Sequence, residues 1–143
     1  MATEIHPDFR YWLDMKEPSL IDLYKELRLF VLEMYPKCNE LLYHTHALTS
    51  VYTISDKLSD GFCMIPIYSY HLNLGFHKGT LLYDPENLLQ GTGKLIRHIP
   101  ILKKEDFQSN SVKALIQSAI DFAIEDMDRK TSSEGMSISK IKK

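Results

Sequence analysis

Apolar residues recur at helical spacing in three stretches of this chain and alternate with polar ones in the chain between. Phe9, Trp12 and Leu13 fall at i, i+3 and i+4, which predicts a short helix over Pro7–Lys16 that Pro18 breaks. Ser19 is a candidate N-cap, with Asp22 three residues on as a weak capping box. Leu20, Leu23, Tyr24, Leu27, Val31 and Met34 keep one helical face over four turns, and Pro36 ends it. Near the far end, Ser109, Asn110 and Ser111 offer caps. The stripe Val112, Leu115, Ile116, Ala119, Ile120 and Ala123 then predicts a long helix to about Met127.

Between these helices the period drops to two. Leu41 and Tyr43 alternate with Leu42 and His44, and Ser50–Ile54 is rich in β-branched and aromatic residues. Asp60-Gly61 marks a turn before an apolar strand, Phe62–Ile67, whose Pro66 suggests an edge or a bulge. His71–Phe76 alternates cleanly, and Leu95–Leu102 is the last strand, with Pro100 again suggesting an edge. The expectation is an α+β fold. A meander of about five antiparallel strands carries helices on one face, two N-terminal and one long C-terminal.

Composition narrows the class. The 143 residues suit one domain, 44% of them hydrophobic and 25% charged. No apolar run approaches the roughly 20 residues that span a bilayer, so no membrane partner is expected. Cys38 and Cys63 make no disulfide framework, and no signal peptide is visible, so a cytoplasmic location with reduced thiols is expected. Net charge is −2, unevenly spread: Arg129–Lys143 carries five Lys/Arg against one Glu. Residues 1–128 therefore read as an acidic domain, and 129–143 as a basic, solubilising tail that touches nucleic acid only if its charge is used for that. A homodimer stays open as an alternative to a monomer.

Chemistry is concentrated in Leu72–Ile101, which holds four of the six glycines. Gly91-Thr-Gly93-Lys94 resembles a phosphate loop but lacks the Walker spacing and the Ser/Thr after lysine. Backbone N–H groups of Gly91 and Gly93 with Lys94, Arg97 and His98 would suit a small anion, bordered by Asn73 and Asp84. The competing reading is a glycine turn that closes two strands. His44, His46, His71 and His77 are in phase for a metal site only if their strands are neighbours. Asp22, Glu26 and Glu33 share a helical face, as do Asp121, Glu125 and Asp128, and oxygen ligands of this kind suit iron or magnesium. No GxSxG and no committed triad appears.

LNLGF at Leu72–Phe76, Gly79, Leu82, Asp84-Pro85 and LLQGTGKLIRHI at Leu88–Ile99 resemble the hallmark of YdhG-like proteins, a bacterial family of unknown function. Leu27-Arg28, Tyr35-Pro36, Glu40–Tyr43 and Ala114–Ala119 fit its flanks; His44-Thr-His46 and the basic tail depart from it. The resemblance implies an α+β sandwich with a strongly bent antiparallel sheet. It also implies, for some members, frataxin-like iron delivery through surface carboxylates. It supplies no catalytic residues. Three readings therefore stand. One is a cytosolic binding module for a small anion or a partner's carboxylate at the Gly91–His98 segment. The second is an iron or divalent-cation chaperone using Asp22, Glu26 and Glu33. The third is a small-molecule enzyme of unknown reaction.

Overall fold

A computed structural model describes residues 1, 3–127 and 133–142. Helix α1 (Pro7–Leu13) starts where His6 Nδ1 accepts a hydrogen bond from Asp8 N at 3.0 Å. Helix α2 (Pro18–Met34) begins on Pro18 itself, with Glu17 as N-cap, so Ser19 is not the cap. Proline at the first helical position loses nothing, because that N–H has no intrahelical partner anyway. Helix α3 (Asn110–Asp126) is capped by Ser109 Oγ, which accepts from Val112 N at 3.2 Å.

The strands are β1 (Asn39–His44), β2 (Leu48–Thr53), β3 (Gly61–Ile67), β4 (Leu72–Phe76), β5 (Arg97–Ile101) and β6 (Ser137–Ser139). They form one sheet in the order β5-β4-β3-β2-β1-β6. The first five make the expected antiparallel meander, and β6 adds a sixth strand parallel to β1. The α+β class holds, with all three helices on one face. The sixth strand comes from the stretch read as a tail: Ser137–Ser139 join the sheet, while 129–132 and Lys143 lie outside the described residues.

Strand alternation sorts the two faces. Leu42, Tyr52, Cys63, Ile65, Ile67, Leu72, Leu74, Phe76, Ile99 and Ile101 face the helices and are buried in one core with Phe9, Leu27, Val31, Ile116 and Ile120. The other face carries, in register across the sheet, Ile138, Leu41, Val51, Met64, Gly75 and His98. Pro66 overturns its expectation, because β3 is an interior strand. The β3–β4 pairing runs Met64↔Gly75 and Ile67↔Leu72 in constant register, so the missing N–H costs a ladder bond without a slip. Pro100 does lie on the outer strand, β5.

Candidate functional site

The Gly91–His98 segment does not converge on a site. Arg97 lies opposite Phe76 and His98 opposite Gly75, so the two side chains leave β5 on opposite faces. The Arg97 guanidinium donates through Nη1 to Gly93 O at 2.6 Å and Ile96 O at 2.8 Å. It staples its own loop. Thr80 Oγ1 donates to Lys94 O at 2.9 Å, and Lys94 is exposed. A Cβ on Gly79 would stand 2.4 Å from Arg97 Cβ, so this glycine admits the close packing of the loop on β5. Gly91 has φ +134°, and Gln90 and His98 exchange backbone hydrogen bonds of 2.8 and 2.9 Å. The glycines and Arg97 therefore close the sheet's edge.

The bordering residues also serve structure. Asp84 accepts from Leu88 N and Leu89 N, both at 2.9 Å, and fixes the turn after Pro85. Asn73 sits opposite Pro100 on the face away from the helices.

The metal candidates are not gathered either. Glu26 pairs with Lys104 at 2.9 Å, while Asp22 and Glu33 are exposed. Among the described residues no group of three or more His, Cys, Asp or Glu side chains is placed to hold a metal ion. Asp128 lies outside the described residues. The histidines go separate ways: His44 packs at a tilt against Trp12 with centroids 4.3 Å apart, and His71 stacks on Tyr68 at 4.7 Å. His77 packs over Gly61, with its Nδ1 buried and without a partner. Burial, opposed by a hydrogen bond to the Phe62 backbone and aided by Lys78, lowers its pKa to about 4.

Among the described residues, a dense polar structure is one that motif reading passes over. Arg28 and Glu40 are 5% and 1% exposed, and they form a two-point pair: Nε to Oε2 at 2.8 Å and Nη2 to Oε1 at 3.1 Å. Tyr52 Oη donates to Glu40 Oε2 at 2.9 Å; Ser50 Oγ lies 2.9 Å from Tyr52 Oη, and Tyr24 Oη donates to Ser50 Oγ at 2.9 Å. Arg28 also donates to Thr3 O at 3.0 Å and Glu4 O at 3.2 Å, and Ser137 Oγ donates to Glu40 Oε1 at 2.8 Å. Burial opposes the charge on Arg28, but the Glu40 carboxylate outweighs it and holds the guanidinium above its usual range. Burial and Glu40 push the Cys38 thiol up to about 12, so it stays protonated and is no nucleophile. The network joins α2, β1, β2, β6 and residues 3–4, and its donors are already committed. The signal in the sequence was phase: Arg28 lies between Tyr24 and Val31 on the apolar stripe, and Glu40 alternates in step with Leu42.

Concavity lies elsewhere. A groove of about 610 Å³ runs between the start of α2, the β3–β4 turn and the chain leaving β5. Leu20, Leu23 and Ile101 form its apolar floor; Tyr70 and Leu102, 86% and 76% exposed, stand at its rim. Ser19, His71, Lys103 and Lys104 face it with Glu17, Glu26 and Glu105. The Glu26 hydrogen bond and charge raise the pKa of Lys104 and keep it cationic. Pro18 has no N–H and those of Leu20 and Ile21 donate to Glu17 O at 3.0 Å, so this end of α2 is closed largely on itself. Sequence reading missed this groove, because its walls come from three segments distant in the chain. No helix among the described residues is long and apolar enough to cross a membrane. Comparison with family models, with curated proteins and with solved structures returns no match for this chain.

Proposed function

We propose that this protein is a binding module whose ligand lies in the groove between α2 and the ends of β4 and β5, and that the ligand is a small amphiphile with an anionic head. The reading keeps the expectation of an anion-binding module and moves its site away from Gly91–His98. The observation that carries it is a groove of about 610 Å³, inside the usual range of small-molecule sites, whose accessible apolar surface comes from the half-buried Leu23 and the exposed Leu102 and Tyr70. An aliphatic body would lie along Leu23 and Leu102. The head would meet Lys103, Lys104 and His71. The ion pair Lys104–Glu26 holds one wall in place before any ligand arrives.

Octanoate is a direct probe. With about ten heavy atoms at roughly 0.3–0.4 kcal/mol each, it should bind at about millimolar strength. Titrated into isotope-labelled protein, it should shift the amide signals of Tyr70, His71 and Leu102–Glu105 and saturate, and Leu23→Asp should abolish the effect. Absence of saturable shifts in these residues would overturn the reading. Saturable shifts confined to Gly91–His98 would restore the glycine segment as the site.

A further inference from the structure

We propose that the outer edge of β1 is a strand-docking site that recognises this chain's own residues 133–142, and that a second copy supplies this segment by strand exchange. The edge is built to recognise one sequence. Asn39 Oδ1 accepts from Met136 N at 2.9 Å and from Glu134 N at 3.3 Å. Glu40 takes the Ser137 hydroxyl at 2.8 Å. Gly135 donates from its N to Lys37 O at 3.0 Å at φ +73°, and a Cβ there would come within 3.2 Å of Pro36 O. A generic strand would satisfy the ladder of β1 but not these side-chain contacts. A segment with glycine at the turn and a hydroxyl two residues on satisfies both, and every copy of the chain carries one.

The attachment is specific but shallow. The parallel ladder spans three residue pairs, Glu40↔Ser137 to Leu42↔Ser139, flanked by bonds from Glu40 N to Met136 O and from Lys140 N to Leu42 O, both 2.8 Å. Ile138 and Ile141 are its only large aliphatics, and both are only partly buried. Helix α3, from which the segment departs, packs on β3 rather than on β1. The segment can therefore leave at the expense of the packing of Ile141 and the Ser137–Glu40 bond while α3 stays on β3, in the manner of local opening. An open β1 exposes unpaired N–H and C=O groups, a state that recruits a strand. A second copy restores the same bonds, so closed monomer and exchanged dimer differ mainly by a concentration term.

Two full-length variants test this. Leu41 and Ile138 are Cα partners across the β1–β6 ladder, and adjacent strands about 4.8 Å apart suit a disulfide. Leu41→Cys chains mixed with Ile138→Cys chains can form that disulfide only when the segment of one copy pairs with β1 of another. At about 1 mM protein, comparable to the effective concentration of a chain's own segment, a glutathione buffer should accumulate the covalent heterodimer. Its yield should exceed several-fold that from Ile138→Cys mixed with Tyr70→Cys, a cysteine at a fully accessible site. Yields equal to that control would overturn exchange. Hydrogen exchange on the unmodified chain gives a second readout, independent of how the variants fold. Glu40 and Lys140 N–H should exchange well before the β2–β3 ladder, and protection equal to that ladder would equally sink the idea.

Discussion

The Gly91–Arg97 loop and the Arg28–Glu40 cluster are opposites. The loop concentrates glycines and cations within a few residues, and its geometry spends them on closing an edge strand. The cluster draws Tyr24 and Arg28 from α2, Glu40 from β1, Ser50 and Tyr52 from β2 and Ser137 from β6, and it ties these distant places together by hydrogen bonds. Local density of unusual residues reports how demanding the backbone is. Charges held in an apolar stripe report what long-range order must be maintained.

The sharpest way to break this contrast is to remove one member of the buried pair. Glu40→Ala leaves Arg28 charged and deprived of its main partner, and should cost about 3–5 kcal/mol in urea unfolding. Replacing both, Arg28→Met with Glu40→Leu, should recover much of that loss, since no uncompensated charge remains buried. A double variant as unstable as Glu40→Ala would show that the pair supports the fold by more than its charges.

A second test extends the burial principle to His77. Its folded pKa of about 4 lies below the ordinary 6.5. The unfolded chain therefore binds a proton that the folded chain refuses. Stability is fully present above about pH 6.5, is lost as pH falls from there to about 4, and loses nothing more from this group below that. The steepest loss is about 1.4 kcal/mol per pH unit from this one proton. Urea midpoints measured across pH 7 to 4 should show that slope in the native chain and a shallower one in His77→Gln.

The smallest effects should come from the loop. Gly91→Ala, at φ +134°, should cost about 1 kcal/mol, whereas Gly93→Ala, whose Cβ would meet only Ile96 O at 4.0 Å, and Lys94→Ala should stay within about 0.5 kcal/mol. A loss at Lys94 as large as that at Gly91 would mean that the cations hold something the strand closure does not need.

Fold was legible where periodicity is long. The stripes of α2 and α3 and the alternation of β4 mark their elements, because burial of one face forces a repeat on the sequence. Two boundaries moved for local reasons: Pro18 starts α2 instead of breaking a pattern, and Pro66 is carried inside the sheet by an unbroken register. Strand β6 was illegible because three residues are too few to show a period, and what fixes them are Asn39 and Glu40, nearly a hundred positions away. The groove was hidden for the same reason, since Leu23, Tyr70 and Lys104 meet only once the sheet has formed.

Thr3 and Glu4 lie against Arg28, and Ser137 against Glu40, so one ion pair holds the first and last described segments of the chain. Synthesis runs from one segment to the other. Helix α2 and strands β1 to β5 are complete on the ribosome while Glu40 still lacks its hydroxyl donor and β1 its outer neighbour. At about 5–20 residues per second, the chain spends roughly 5–20 s with that edge bare between emergence of β1 and of Ser137.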